Sequence, residues 1–183
     1  MLRIVAGKYK QRLIKAPKGN GTRPTSSKVR EAIFSILLSK IPDANVLDLF
    51  AGSGALSLEA VSRGAQKAVL CDSSRSAVAV IKENIASLDA GKQTNVLAMP
   101  WQKALLQLSK ENQKFDLVFL DPPYAFDLTP VLKNILDNSV LEKNAIICAE
   151  HTKPLTLPSG LYVYKNKRYG QTYVTFIMED SLD

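Results

Sequence analysis

The stretch Asp48-Leu-Phe-Ala-Gly-Ser-Gly54 decides the fold. An apolar strand is predicted over 45–50 and a helix over 55–63, so the stretch is a glycine-rich turn between them. Glycine removes the side chain where a ligand must approach the backbone, and the N-terminus of a helix favours anionic groups. Glycine-rich turns also serve ordinary packing of a helix against a strand, so both interpretations stand on this turn alone.

Two familiar nucleotide-binding loops do not fit this turn. Leu58 and Glu59 occupy the region where a dinucleotide-binding loop has its third glycine. A P-loop is excluded because no Lys-Ser or Lys-Thr pair follows the glycines. The acid that precedes the G-x-G pattern, Asp48, suits a ligand with an amino group. S-adenosylmethionine has an amino group with a carboxylate beside it, and we expect this ligand here.

Strands and helices alternate along the chain from this turn onward. Such alternation predicts an α/β fold with a mostly parallel sheet and helices on both faces. The predicted strands lie over 45–50, 67–71, 95–99, 115–120 and 145–149, the helices over 55–63, 74–88, 101–109 and 128–137, and a C-terminal antiparallel hairpin over 161–165 and 172–178. Ligands bind beyond the carboxyl ends of such strands, so the residues directly after the strands are the site candidates.

The segment before the sheet is predicted to form a short hairpin, over 2–6 and 12–15, and then a helix over 25–39. Thr25 or Ser26 is suited to cap that helix, because both side chains carry a hydroxyl that can accept a backbone N–H.

Positive charge is concentrated at the N-terminus. Residues 1–40 contain ten Lys or Arg and one acid, a net charge of +9, whereas residues 41–183 have a net charge of −2. Cations without acidic partners, interleaved with glycines and Tyr9, favour a flexible or hairpin arm that neutralises phosphates over an ordinary solvated face. We therefore expect a polyanion as the partner of a basic N-terminal extension over 1–40, followed by a separate domain over 41–183.

Asp72 follows Gly52 by twenty residues and comes directly after the second predicted strand. An acid at this position can accept hydrogen bonds from both hydroxyls of a ribose. The alternative is that Asp72, Ser73 or Ser74 caps the helix that follows. The glycine loop in register with Asp72 favours ribose binding.

The second motif is Asp121-Pro-Pro-Tyr124, directly after the near-continuous apolar strand over 115–120. Two prolines stiffen the backbone and remove N–H donors, which leaves carbonyl oxygens and the Asp121 carboxylate to face the cleft. An exocyclic amino group offers two N–H donors, one to Asp121 and one to the Pro122 carbonyl, and its lone pair then turns toward an electrophile. The Tyr124 ring can stack on the base. The alternative is a strand terminator whose tyrosine packs in the core.

Composition and cysteine usage exclude several classes of protein. The hydrophobic share of 46% and the charged share of 22% are typical of globular proteins. No apolar run is long enough to span a bilayer, and Lys8 and Lys10 interrupt any secretory signal. Cys71 and Cys148 have no Cys or His neighbour at metal-ligand spacing, so we expect buried thiols, no metal and a cytoplasmic location.

These motifs resemble those of a known family. The pair Asp48 to Gly54 and Asp121 to Tyr124 is similar to class I methyltransferases that act on amino nitrogens. Three further stretches narrow the resemblance to the RsmD-type methyltransferases, which modify a guanine N2 in bacterial small-subunit (16S) ribosomal RNA. These stretches are Arg3-Ile-Val-Ala-Gly-Lys8, Thr22-Arg-Pro-Thr25 and Val29-Arg-Glu-Ala-Ile-Phe34. The similarity covers nearly the whole chain, from Arg3 to about Met178.

The resemblance implies a Rossmann-like fold, S-adenosylmethionine as cofactor, and ribosomal RNA in a partly assembled small subunit as substrate. The residues expected at the target amine are Asp121, Pro122, Pro123 and Tyr124. The residues expected at the cofactor are Asp48, Phe50, Ala51, Gly52, Ser53, Gly54, Asp72 and Ser73. The basic residues expected to hold RNA phosphates are Lys8, Lys10, Arg12, Arg23, Lys28 and Arg30.

The chain departs from the family in two places. Many relatives have an acid after the third strand for the adenine amino group, but here the segment is Ala98-Met-Pro-Trp-Gln102. Adenine is therefore expected to contact backbone atoms and the face of Met99 or Trp101. Gln11 stands where a glycine is expected in the N-terminal arm. Two other residues draw notice: His151 is expected at the rim of the site, and Tyr169-Gly170 in a turn.

Three alternatives remain on the sequence. A DNA adenine-N6 methyltransferase uses the same Asp-Pro-Pro-Tyr motif, but 183 residues leave little room for a DNA-recognition domain. A protein glutamine methyltransferase usually has Asn in place of Asp121. A non-catalytic RNA-binding or assembly protein would need neither the glycine loop nor Asp121.

Overall fold

A computed structural model of the chain describes residues 1–17 and 26–180. In this part of the chain, helices flank a seven-stranded sheet, and a two-stranded hairpin precedes it. The hairpin strands are β1 (Leu2–Arg3) and β2 (Leu13–Ile14). The sheet strands are β3 (Asn45–Asp48), β4 (Lys67–Cys71), β5 (Thr94–Leu97), β6 (Phe115–Leu120), β7 (Leu141–His151), β8 (Leu161–Tyr169) and β9 (Thr172–Glu179). The helices are α1 (Ser27–Ile36), α2 (Ala55–Ser62), α3 (Arg75–Leu88), α4 (Trp101–Lys110) and α5 (Thr129–Asp137).

The strand order in the sheet is β5-β4-β3-β6-β7-β9-β8. Strands β3 to β7 run parallel, β9 is antiparallel to β7, and β8 is antiparallel to β9. The order reverses between β3 and β6, because β4 and β5 extend the sheet in one direction and β6 and β7 in the other. The predicted parallel sheet with a C-terminal antiparallel hairpin is confirmed, and its topological switch point lies where ligands bind in such folds.

Each face of the sheet buries its own apolar cluster. Helices α1, α2 and α3 cover one face, where Phe34 and Phe119 pack with their ring centroids 5.8 Å apart. Helices α4 and α5 cover the other face, where Leu105 and Leu132 are fully buried. The side chains of β6 alternate between the two clusters, which is the burial on both faces that its continuous apolar sequence predicts.

Some elements begin or end a few residues away from their predicted limits. Ser26 caps α1, since the Val29 N–H donates to its hydroxyl at 3.2 Å. Strand β7 is longer than the predicted 145–149, because Leu141 pairs with Phe115 and His151 pairs with Tyr173. Hydrogen-bond pairing with neighbours, which apolar patterning does not report, sets these ends.

The N-terminal arm is docked on the core. Ile4, Tyr9 and Ile14 are buried in the cluster beneath α1–α3, so the apolar core continues across the expected boundary at residue 40. A Cβ at Gly7 would lie 1.8 Å from the Ser62 carbonyl oxygen, so only glycine fits against the end of α2. Of the two predicted forms of the arm, flexible or hairpin, the hairpin is the one observed in residues 1–17.

The backbone conformation of Gln11 explains why a glycine is expected at this position. Its φ of +72° lies in the left-handed region, which glycine adopts without strain. The Gln11 side chain accepts a hydrogen bond from the Arg3 guanidinium at 2.6 Å, which helps to hold the turn of the arm.

Candidate active site

The glycine loop connects β3 to α2, and its two glycines have different surroundings. Gly52 has a φ of +57° and Gly54 a φ of +79°, conformations that other residues rarely adopt. A Cβ at Gly54 would lie 3.0 Å from Leu70 Cδ2, so this glycine permits close packing of α2 on the sheet. A Cβ at Gly52 would meet no atom of the described residues within 4 Å. Helix packing therefore accounts for Gly54, while the space beside Gly52 is open to a ligand.

Asp48 lies beneath the loop and is only 1% exposed. Its carboxylate accepts a hydrogen bond from the Ser57 hydroxyl at 3.1 Å and a long one from the Phe50 N–H at 3.4 Å. Burial, together with the nearby carboxylates of Asp121 and Asp72, raises the pKa of Asp48 to about 7, against the lowering effect of the two hydrogen bonds. A positive charge placed in the loop would favour its ionised form.

Asp72 uses both carboxylate oxygens to hold backbone. One oxygen accepts the Gly52 N–H at 2.9 Å, and the other accepts the Ser74 N–H at 2.9 Å. Ser74, rather than Asp72, caps α3 through a hydrogen bond from the Ala77 N–H. Asp72 thus fixes the position of Gly52, and each of its oxygens retains a second lone pair for the predicted bonds to ribose hydroxyls.

The Asp-Pro-Pro-Tyr motif leaves the carboxyl end of β6 and forms a tight turn. The Phe126 N–H donates to the Pro123 carbonyl at 3.2 Å, with Ala125 at a φ of +60°. The turn presents Tyr124 to solvent, with 79% of its surface exposed. A tyrosine packed in the core, which was the alternative interpretation of the motif, is therefore wrong.

A pair of rings joins this turn to the glycine loop. Phe50 and Phe126 pack edge to face with their centroids 5.2 Å apart. In the glycine loop itself, Ala51 donates its N–H to the Cys71 carbonyl at 3.0 Å, and the Ser53 hydroxyl accepts the Ala55 N–H at 3.3 Å at the start of α2. The predicted cofactor residues Phe50, Ala51 and Ser53 thus hold the shape of the loop.

The remaining predicted cofactor residues follow β4 and β5, next to the loop. Ser73 is exposed, while Met99 and Trp101 are half-buried against the cluster beneath α4 and α5. The Cys71 thiol donates to the Met99 carbonyl at 3.1 Å, which ties the two strand ends together. The contact of Met99 and Trp101 with adenine stays a prediction.

The predicted phosphate-binding residues differ in exposure. Lys8, Lys10 and Lys28 are exposed, and Arg12 is exposed but donates to the Ser87 carbonyl at the end of α3. Arg23 lies outside the described residues. Arg30 is a correction: it is 1% exposed and donates to the Arg3 carbonyl, so its guanidinium cannot reach a phosphate.

Two buried polar residues that the sequence did not single out hold the arm in place. The Glu59 carboxylate accepts the N–H groups of Val5 and Ala6 at 2.8 and 3.0 Å and the Arg63 guanidinium at 2.8 Å. Asn84 accepts the Lys15 N–H and donates to the carbonyls of Lys15 and Ser53, so it joins the arm to the glycine loop. The available signal for Glu59 was that it is the one charged residue of the helix Ala55–Ser62. Asn84 gave no comparable signal.

Both cysteines are buried thiols, as predicted. Burial raises the pKa of Cys71 to about 12 and that of Cys148 well above its ordinary value, so neither is a reactive thiolate. Within residues 1–17 and 26–180, no three His, Cys, Asp or Glu side chains are grouped to hold a metal ion. Over the same residues, no helix has the length and apolar character needed to cross a membrane.

Comparison with known proteins identifies relatives along nearly the whole chain. Ribosomal RNA small subunit methyltransferase D of Escherichia coli is 36% identical over 174 residues, 93% of this chain and 86% of its own. The Haemophilus influenzae protein of the same name is 33% identical over 172 residues, 92% of this chain and 89% of its own. The solved structure of Escherichia coli yhhF is 33% identical, covers 98% of both chains and superposes with a TM-score of 0.87.

The fold is that of the class I methyltransferases, as the structural neighbours show. The family model described as conserved hypothetical protein 95 matches residues 2–178. The chain therefore belongs to this family, that of the RsmD-type methyltransferases which its motifs resemble.

Proposed function

We propose that this protein transfers a methyl group from S-adenosylmethionine to the exocyclic N2 amino group of a guanine in small-subunit ribosomal RNA. The observation that carries the proposal is the meeting of three features at the switch point of the sheet. The open glycine loop follows β3, Asp72 follows β4, and the turn that presents Tyr124 follows β6. The names of the Escherichia coli and Haemophilus influenzae relatives support ribosomal RNA as the substrate.

The charge of the cleft suits this cofactor. Asp48, Asp72 and Asp121 lie close enough for the other two carboxylates to raise the pKa of Asp48. S-adenosylmethionine carries positive charge on its sulfonium and its amino group, and both would be attracted to such a cleft. The open space beside Gly52 would admit the methionine end, and Asp72 would accept the ribose hydroxyls.

When bound, the cofactor supplies an electrophilic methyl group on sulfur. The contribution of the chain is to align the target nitrogen with that methyl group. Asp121 would accept one N–H of the amino group and the Pro122 carbonyl the other, so that the nitrogen lone pair points at the methyl carbon. The nitrogen would form the new C–N bond as the bond between methyl carbon and sulfur breaks, and it would then lose a proton. A strong base is not needed before attack, because the N–H becomes acidic once the methyl group has arrived.

The target guanine must be unpaired or flipped out of its stack to reach the turn. The exposed Tyr124 ring would then stack on the base. Exposed cations of the N-terminal extension, namely Lys8, Lys10, Arg12 and Lys28, would bind flanking phosphates and make binding strongly dependent on salt. A partly assembled small subunit is the proposed substrate, since folded RNA in a subunit can hold one base in an exposed position.

Methyl transfer to defined RNA tests the proposal. Small-subunit RNA from cells that lack this gene is incubated, naked and protein-bound, with the protein and labelled S-adenosylmethionine, and is then digested to nucleosides. We expect label in N2-methylguanosine at a single position, with the protein-bound RNA preferred. Parallel assays offer DNA and protein as substrates. Label in DNA adenine or in protein glutamine, and none in RNA, would overturn the proposal in favour of the corresponding alternative, and cofactor binding without any transfer would contradict it.

A further inference from the structure

The C-terminal hairpin carries a group of cations and tyrosines, of which Tyr169 packs against the cluster beneath α1–α3. Residues 161–173 contain three cations, four of the six tyrosines of the chain, and no acid. Strand β8 forms the edge of the sheet, and its side chains from Tyr162 to Arg168 are exposed. Cations interleaved with aromatic rings and free of acids are typical of surfaces that bind single-stranded nucleic acid. Strand register divides these cations, with Arg168 on the face covered by α4 and α5, and Lys165 and Lys167 on the face covered by α1–α3.

Three flat side chains of this hairpin and of β7 lie in a row on one face of the sheet. Strand register places Arg168 opposite Tyr173, and Tyr173 opposite His151. The Arg168 guanidinium lies 5.5 Å from the Tyr173 ring centroid, and the His151 ring stacks on Tyr173 at 5.6 Å and 18°. This stacked row, Arg168–Tyr173–His151, crosses three neighbouring strands.

Hydrogen bonds fix the orientation of the stacked row. The two ring nitrogens of His151 bond to the Lys153 carbonyl at 2.7 Å and to the Thr175 hydroxyl at 2.8 Å. The Thr175 hydroxyl also donates to Asn166 at 3.0 Å, and the Arg168 Nε donates to the Gly170 carbonyl at 2.9 Å. The rings are thus held in place before any ligand arrives, which lowers the entropy lost on binding.

The stacked row begins beside the proposed active site. His151 lines a cavity of about 260 Å³ that also takes in Phe126, which follows Tyr124 by two residues. The other side chains in contact with the cavity include Asp127, Lys153, Pro154 and Leu155. A continuous surface therefore runs from the turn after β6, past the cavity, to Arg168 at the edge of the sheet.

We infer that this surface is a second RNA-binding site, in which the stacked row holds the single strand next to the target nucleotide. An unpaired base of that strand enters the cavity beside His151. Arg168 and Lys153 bind the phosphates of the same strand. The row lies on the face covered by α4 and α5, and the N-terminal arm lies on the face covered by α1–α3. The RNA is therefore bound by the N-terminal arm on one face of the sheet and by the stacked row on the other, and the target base reaches the turn after β6. The inference rests on the proposed function for the identity of the RNA.

The register of β8 provides a matched control. Lys167 precedes Arg168 but pairs with Val174, whose side chain belongs to the cluster beneath α1–α3, so it points to the opposite face. Arg168→Gln and Lys167→Gln remove one positive charge each from adjacent exposed positions. If the hairpin attracts RNA only through its overall charge, both variants should lose the same affinity for RNA. If the stacked row binds RNA, only Arg168→Gln should lose affinity.

The test measures binding of a fluorescently labelled single-stranded oligoribonucleotide, together with KM and kcat for methyl transfer to small subunits. We expect Arg168→Gln and Tyr173→Ala to weaken binding and raise KM about tenfold with kcat little changed, and Lys167→Gln to resemble wild type. Arg168→Lys keeps the charge but not the plane, and should recover only part of the affinity. Cofactor affinity and thermal unfolding identify any variant that is misfolded.

Photo-crosslinking of wild-type protein to RNA that contains 4-thiouridine gives a second measurement that does not depend on variants. Crosslinks within residues 151–173 are expected. Equal losses of RNA affinity for Arg168→Gln and Lys167→Gln, or the absence of crosslinks within residues 151–173, would overturn the inference. RNA binding and crosslinking are measured without methyl transfer, so they test this RNA-binding site independently of activity. A protein that binds RNA through the hairpin but methylates no RNA would contradict the proposed function and not this inference.

Discussion

At the scale of single residues, Asp48 links burial to a measurable dependence on pH. Its pKa of about 7 in the folded protein lies above the ordinary value of 3.8, so the folded state holds this proton more tightly than the unfolded state. The resulting stabilisation is complete below about pH 4 and is lost as the pH rises through about 7, at about 1.4 kcal/mol for each unit of pKa.

Asp48→Asn should therefore gain stability relative to wild type as the pH rises. The variant cannot ionise at this position, so the cost of burying a charge at neutral pH is absent. Urea unfolding at about pH 5 and about pH 8 should show a difference between the proteins that grows by a few kcal/mol. Curves that stay parallel at both pH values would contradict a raised pKa at Asp48.

Tyr124→Ala should weaken RNA binding and leave the fold intact. The ring is 79% exposed, so its loss removes little packing, whereas stacking on a base contributes about 1–3 kcal/mol. We expect KM for RNA to rise roughly tenfold, with an unchanged melting temperature, and Tyr124→Phe to behave like wild type. A large fall in melting temperature would assign the ring to packing.

At the scale of elements, the role of the glycine loop in cofactor binding can be tested by comparing Gly52 with Gly170, a glycine of similar backbone conformation in the β8–β9 turn. Gly52 and Gly170 have φ values of +57° and +63°, and a Cβ at either would meet no described atom within 4 Å. Alanine at either position should cost about 1–2 kcal/mol of stability, from strain alone. Only Gly52→Ala should weaken binding of S-adenosylmethionine in calorimetry. Equal cofactor affinity in the two variants would show that the ligand does not approach Gly52.

Asn84→Ala should loosen the arm and the glycine loop together. Asn84 is 1% exposed and makes three hydrogen bonds, to the N–H and carbonyl of Lys15 and to the Ser53 carbonyl. We expect a loss of about 2–4 kcal/mol and faster hydrogen exchange in residues 4–15, with lower cofactor affinity. The control is Asn134→Ala, which removes a single exposed hydrogen bond on α5. Faster exchange in the arm at unchanged cofactor affinity would show that the two elements are independent.

Elements with a clear apolar period are the ones whose limits the sequence predicts well. Helix α3 and strand β6 have clear apolar periods, and both form within a residue of their expected limits. Strand β8 extends to Tyr169 although its side chains are exposed, because hydrogen bonds to β9 hold it. A strand of this kind has no apolar alternation, so the sequence indicated only its first half.

At the scale of the whole molecule, charge counted along the sequence does not give charge at the surface. Arg30 contributes to the basic N-terminal segment, yet it is buried 4.0 Å from the Glu59 carboxylate.

The motifs at the strand ends could be predicted because each lies within one short stretch of sequence. The stacked row Arg168–Tyr173–His151 could not, since strand pairing alone brings its members together.

The most direct test of the role of Asp121 is methyl transfer by Asp121→Ala, measured with cofactor affinity on the same preparation. The central claim is that Asp121 aligns the target amine with a cofactor held by the glycine loop. We predict that transfer to small-subunit RNA falls about a hundredfold or more, because alanine has no oxygen to accept the N–H of the amine. Cofactor affinity should change little, and the exposed control Asp137→Ala should match wild type. Near-normal turnover by Asp121→Ala would contradict the claim.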